Sequence, residues 1–292
     1  MLVMGIESAT PVASVALLDE TGLLGETLLN VGLTHSEQLL PMIDDLLRQC
    51  RRNIRELTAI GISAGPGSFT GLRIGMATAK ALVQGLRASA GAEDDVGAGA
   101  LASAGASTGA SAQGENQKRL PQLIAIPTTE AMAWQTAGLP GLVSPMLNAR
   151  REQVYTALYR WRVEDNAAED SGNVDSPSFS EIFAARQRGK KDRILTGAGG
   201  IRYKLECLIP PLAIAAEDWA IRLQEYGESI YLVGEGVYMY QEIWQYRLSG
   251  KALPLPPIAG ICRGSYIALA AMDRLGEAED FYGMKPIYLR GI

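Results

Sequence analysis

Histidine is almost missing: His35 is the only one in 292 residues. A catalytic metal site of the H-x-x-x-H or H-E-x-x-H kind is therefore excluded, and a catalytic triad would have to use that one residue as its base. Cysteine is scarce as well. Cys50, Cys207 and Cys262 are odd in number, far apart and in no C-x-x-C pattern. They form neither a disulfide framework nor a zinc site and suit a reducing cytosol. Positive charge is in deficit, with 27 Lys and Arg against 32 Asp and Glu and a net charge of −5. No overall basic field invites nucleic acid, so if RNA is the substrate another component supplies most of the phosphate contacts. No apolar run is long enough to span a membrane and no signal-peptide pattern opens the sequence, so a cytosolic protein is expected. What is present is ordinary for a globular chain. The apolar fraction is 47%, enough for a sizeable core in one large domain or two smaller ones.

The stretch that organises the chain is Gly65-Pro66-Gly67-Ser68-Phe69-Thr70-Gly71-Leu72-Arg73. The apolar run Leu57–Ala64 before it reads as a buried strand, and Ser68 is placed to cap a helix from Phe69 to about Leu86. A strand, a tight glycine turn and a helix N-terminus together offer outward N–H groups and partial positive charge, which suits an anion such as phosphate. The same turn equally serves only to fix packing. Gly65, Gly67 and Ser68 are thus candidate anion or nucleotide contacts. Further along the helix, Gly71, Gly75 and Ala79 recur every four residues. A glycine inside a helix costs about 1 kcal/mol against alanine, so this bare stripe calls for the close approach of another helix, from the same chain or from a partner.

Before that stretch, residues 2–7, 12–18 and 23–31 read as three consecutive strands, with Asp19-Glu20-Thr21-Gly22 as a hairpin turn. Glu7 ends the first strand, where a nucleotide-binding fold places a metal-facing acid. Thr34 and Glu37 make a capping-box pattern for a helix over about 36–50, with Leu39 and Ile43 on its apolar face and Pro41 near its start. The order is βββαβα. From Ala88 to about Lys118 the chain is mostly Ala, Gly and Ser, and reads as a flexible surface insertion. Strands follow at 120–126, 142–147 and 154–161, with a helix over 130–136 and a polar loop over 164–180. Ile194–Gly199 and Tyr231–Gly236 each read as a short strand closed by a G-x-G turn. Helices are expected over 218–226 and 263–275, and a short strand at Pro286–Arg290.

The opening Met4–Thr10, then His35-Ser36-Glu37 with Leu40-Pro41, then the 65–73 nonapeptide continuing to Gly75 resemble the TsaB family of tRNA threonylcarbamoyladenosine biosynthesis proteins. Asn148-Ala149-Arg150 with Val154-Tyr155, Gly234-Glu235-Gly236 and Pro286-Ile287-Tyr288-Leu289-Arg290 fit the same family in the same order. The resemblance covers roughly 1–87, 120–161 and 217–292. Glu7 and Asn148 stand where the family usually has Asp, which weakens direct metal or nucleotide chemistry at both points.

The resemblance implies an α/β chain of the sugar kinase, Hsp70 and actin superfamily, with two ribonuclease-H-like subdomains. The first is expected over 1–130, with 88–118 as its insertion. The second, degenerate, is expected over 131–292, its helix 263–275 packing back on the first. The family implies a cytoplasmic, non-catalytic scaffold that pairs with a TsaD-like catalytic subunit, works with the ATPase TsaE and meets tRNA through the complex. The threonylcarbamoyl group goes to N6 of the adenosine next to the anticodon. No catalytic residue, metal or cofactor is expected in the chain itself; ATP or ADP and metal belong to the partner subunits. The expected partner interface is His35, Leu39, Ile43, Gly71, Gly75 and Ala79, and without the partner the same face is expected to pair with itself as a homodimer. Two other classes compete. An independent ATP-dependent phosphotransferase would use Glu7 and the Gly65–Arg73 turn. A Rossmann oxidoreductase fits worst, because the glycines run G-x-G-x-x-x-G and no acid ends a following strand about 20 residues on.

Overall fold

The runs Leu2–Glu7, Ala13–Asp19 and Gly22–Leu29 form strands β1, β2 and β3, an antiparallel meander. Its second turn is held by the Asp19 carboxylate, which accepts the Thr21 N–H at 2.8 Å, and by Gly22 at φ +122°. After helix α1 (His35–Gln49), β4 (Ala59–Gly65) pairs in parallel with β1. Helix α2 (Phe69–Gly99) follows, and β5 (Gln122–Pro127) pairs in parallel with β4. The sheet order is β3-β2-β1-β4-β5. The computed structural model describes residues 1–31, 35–99, 120–139, 141–164, 193–196, 202–276 and 283–289.

After helix α3 (Thr128–Trp134), the second sheet is built from β6 (Gly141–Asn148), β7 (Gln153–Glu164), β8 (Arg193–Thr196) and β9 (Arg202–Ala215), paired antiparallel. Helix α4 (Ala216–Gln224) leads to β10 (Ile230–Val233), which is parallel to β6. Helices α5 (Glu235–Met239) and α6 (Gln241–Arg247) precede β11 (Ala252–Pro254), which is parallel to β10. The order is β11-β10-β6-β7-β9-β8. From β9 to β11 it repeats the first sheet: three antiparallel strands, then two parallel ones beside the first of the three. Both sheets have the ribonuclease-H-like arrangement, and two in tandem make this α/β chain a member of the sugar kinase, Hsp70 and actin-like fold.

β1, β2 and β4 are buried along their whole length, which is why they read as unbroken apolar runs. On one face Met4, Ile6, Val15 and Ile62 pack with Leu39, Ile43 and Met76 of α1 and α2. On the other lies helix α7 (Gly264–Asp273). Gly5 and Gly61 let it come close: a Cβ on Gly5 would collide with the Gly264 carbonyl, and one on Gly61 would sit 2.6 Å from Ala271 Cβ. A carboxylate whose side chain is only 5% exposed fixes the start of α7. Glu26 accepts from Ser14 Oγ at 3.1 Å, from the Ser265 N–H at 3.0 Å and from the Arg263 guanidinium. A negative charge there also suits the helix dipole. One core cluster, with Val3, Ala59, Trp134, Trp161, Ile267 and Ala271, joins both sheets through α3 and α7.

Two expectations from the sequence are corrected, and one element is added. The second helix does not stop near Leu86 but runs to Gly99. The Ala-rich stretch lacks bulk for a core, yet alanine is the strongest helix former, so the helix propagates into it. The part of the expected insertion over 100–118 lies outside the described residues, as do Thr34 of the capping box, the loop over 165–180 and Gly197–Gly199. Residues 202–215, to which the sequence pattern assigns no element, form β9 through pairing with β7. Pro286–Leu289 is not a strand among the described residues; its Ile287 N–H donates to the Ala64 carbonyl at 2.6 Å and the Ile287 side chain packs on the first sheet's core. No helix among the described residues is long and apolar enough to cross a membrane.

Candidate functional site

The turns after β1, β4, β6 and β10 are where this fold can hold a ligand. Glu7, at the end of β1, is fully buried. Its Oε1 accepts the N–H groups of Ala9 at 2.8 Å and Thr10 at 2.9 Å, and its Oε2 accepts the Cys262 thiol at 3.4 Å. The carboxylate therefore closes its own loop. Burial raises its pKa above the ordinary value, against the opposing pull of those hydrogen bonds. Burial, reinforced by the Glu7 charge, also pushes the Cys262 thiol well up, so this is an unreactive thiol. Among the described residues no three His, Cys, Asp or Glu side chains are grouped to hold a metal.

Ser68 caps α2 as the sequence implies, its Oγ accepting the Gly71 N–H at 3.2 Å. The first N–H group beside it is taken by the chain itself. The Ala9 carbonyl accepts the Ser68 N–H at 2.6 Å, and a Cβ on Gly67 would collide with that carbonyl. Gly65, at φ +108°, lies against the Ile287 carbonyl. A backbone dipole here supplies the negative end that a phosphate would bring.

The bare stripe on α2 is filled in the same way, which corrects the expectation that it is an open surface awaiting a partner helix. A Cβ on Gly71 would collide with the Ser8 carbonyl, and one on Gly75 with Ser8 Oγ; Ala79 is fully buried. Leu39 and Ile43 are buried beneath α1. His35 Nε2 lies 2.9 Å from the Thr10 carbonyl, which can only accept, so that nitrogen carries the proton. The close neighbour that the glycines require is the loop between β1 and β2. An i, i+4 stripe marks close approach but does not name the neighbour.

The outward face of the same two helices is different. Leu40 is 53% exposed and Phe69 40% exposed. The Arg73 guanidinium lies 3.8 Å over the Phe69 ring, whose centroid is 5.2 Å from that of Tyr288. Arg73 Nε also donates to Tyr288 Oη at 3.3 Å. Arginine and aromatic side chains of this kind dominate protein interfaces. Leu40, one residue round the helix from Leu39, was the available signal for this face.

In the second sheet, Asn148 ends β6, and its Oδ1 accepts the Arg150 N–H at 2.8 Å. Arg150, Arg151 and Glu152 follow at φ +60°, +50° and +58°. The Gly234 turn after β10 is packed from both sides: its own Cβ would collide with the Met146 carbonyl, and a Cβ on Gly260 would lie 2.9 Å from Gly234 N. Between the halves lies a cleft of about 430 Å³, lined among others by Thr10, Leu147, Glu235 and Cys262, and among the described residues no Lys or Arg stands in its wall.

A family model described as TsaD, tRNA N6-adenosine threonylcarbamoyltransferase, matches residues 30–92. The tRNA threonylcarbamoyladenosine biosynthesis protein TsaB of Bacillus subtilis is 23% identical over 290 residues, covering 99% of this chain and 94% of the relative. Its Escherichia coli namesake is 34% identical over 85 residues, 29% of this chain and 36% of the relative. Two crystal structures from Pseudomonas aeruginosa, YeaZ and a protein described as similar to peptidase YeaZ, superpose with TM-scores of 0.62 and 0.63. Both are 17% identical over 99% of each chain, and that likeness speaks for the fold alone. Motifs, topology and full-length similarity agree, and what the chain is similar to throughout is the TsaB family.

Proposed function

We propose that this chain takes part in forming threonylcarbamoyladenosine in tRNA as a non-catalytic scaffold in the cytoplasm. It docks a TsaD-like catalytic relative, while a TsaE-like ATPase and the tRNA join through the complex. The observation that carries this reading is the self-filling of the turns that could hold a ligand. Glu7 binds its own loop, Ala9 takes the Ser68 N–H at the start of α2 and Gly260 covers the Gly234 turn. A nucleotide, a metal and the chemistry they support therefore belong to the partner. The docking face is the outward side of α1 and α2, around Leu40, Phe69 and Arg73. The buried Leu39, Ile43, Gly71, Gly75 and Ala79 hold those helices at their spacing from beneath. In the partner's absence the same face pairs with a second copy.

The test is reconstitution. The protein is incubated with unmodified tRNA, threonine, bicarbonate, ATP and the adenylate-forming enzyme, with and without a TsaD-like partner and TsaE. Modified nucleoside is expected only in the complete mixture. Leu40→Asp should abolish both complex formation and activity while leaving the melting curve unchanged. Modified nucleoside without the partner, or appreciable ATP turnover by the chain alone, overturns the proposal.

A further inference from the structure

Helix α6 presents Gln241, Trp244, Gln245 and Leu248 at the i, i+3, i+4 and i+7 spacing of one face, with Leu248 just beyond its end. Such a face is ordinarily met by bulky side chains. Here the facing wall includes Gly250 and Ala252, and a Cβ on Gly250 would meet nothing within 4 Å. The result is a cavity of about 310 Å³, at the small end of the range (about 300–1,000 Å³) of small-molecule sites. Its floor is Leu232, Val237, Trp244 and Leu248, none more than 2% exposed. The Trp244 ring is fixed, because its Nε1–H donates to the Val237 carbonyl at 3.1 Å. Exposed Gln241 and Gln245 stand at the mouth, one helical turn apart.

We propose that this cavity binds a small uncharged aromatic molecule of one or two fused rings. The ring lies on Trp244 and the apolar floor, and its polar edge meets the glutamine amides, which offer donors and acceptors alike. Among the described residues the wall contains no charged side chain, so a charge carried into it would lose its hydration without compensation. The site is on the outer face of the second sheet and does not depend on the scaffold role.

The experiment is a titration of indole into nitrogen-15-labelled protein, read at the tryptophan side-chain N–H signals. There are four tryptophans, and Trp244→Phe assigns the one that matters. The Trp244 signal should move and saturate, with half-saturation at or below about 1 mM, while those of Trp134, Trp161 and Trp219 stay. Indole-3-acetate, which adds a negative charge to the same ring, should bind at least about ten-fold more weakly. Ala252→Leu fills the cavity and should remove binding. Should that variant not fold, Gln245→Trp at the exposed rim blocks the mouth instead. A Trp244 signal unmoved up to the solubility of indole overturns the proposal, as does a shift that persists in the blocked variant or equal binding of the two probes.

Discussion

The two sheets share a strand order, yet their first hairpins, β1–β2 and β6–β7, are closed by opposite means. After β1 a buried carboxylate, Glu7, gathers two N–H groups, so the loop is held by an internal charge. After β6 a neutral amide, Asn148, holds one N–H, and three successive residues sit in the left-handed region. The first turn stores its cost as desolvation and the second as backbone strain. The difference also fixes what packs on each turn. The β1–β2 loop packs against α2, with glycines accommodating it, whereas Arg150, Arg151 and Glu152 are exposed.

The largest effect is expected where the first loop meets α2. Gly75→Leu drives a side chain into Ser8 and should destabilise the isolated protein by about 3 kcal/mol or more, read by urea unfolding. Gly85 has open space around it, and Gly85→Ala should instead stabilise by about 1 kcal/mol. A Gly75→Leu protein as stable as the parent would mean that the loop is not the packing partner.

A smaller effect separates the two turns by pH. The folded-state pKa of Glu7 is raised from its ordinary 4.5, so the folded protein holds that proton more tightly than the unfolded chain does. Its contribution is complete below pH 4.5 and is lost as pH rises through the folded value. Unfolding midpoints of the parent should therefore fall relative to those of Glu7→Gln as pH rises above 4.5, and the corresponding Asn148→Ala comparison should show no such slope. Parallel pH profiles for parent and Glu7→Gln would contradict the buried-charge account.

The smallest effect is a gain. Arg151→Gly removes one left-handed non-glycine residue and should raise stability by about 1 kcal/mol, seen as a higher melting temperature. A lower melting temperature would show that the arginine side chain supports the turn.

The βββαβα order and the strands of the first sheet were legible because fully buried strands are long apolar runs with clear turn chemistry between them. The Ser68 cap was legible for the same local reason. The direction of the Gly71/Gly75/Ala79 stripe was not. Periodicity finds a helix face, but only the path of residues 8–10 across it says that the face is already covered. Strand β9 escaped because its stabilisation comes from pairing with β7, a non-local term. The aromatic cluster joins Phe69 to Tyr288, more than two hundred positions apart, and no spacing rule reaches that far.

Helix α7 has a consequence for how the chain is made. It covers the central strands of the first sheet, and Met284 is buried in the cluster beneath α1 and α2, where the Lys80 ammonium donates to its carbonyl at 2.9 Å. β4 ends at Gly65 and α7 begins at Gly264. About 200 residues must therefore leave the ribosome between them, a wait of ~10–40 s at ordinary rates of synthesis. Throughout it one side of β1, β2 and β4 lacks its own cover. The N-terminal half of this protein therefore completes its packing only when residues from the far end of the sequence have been made.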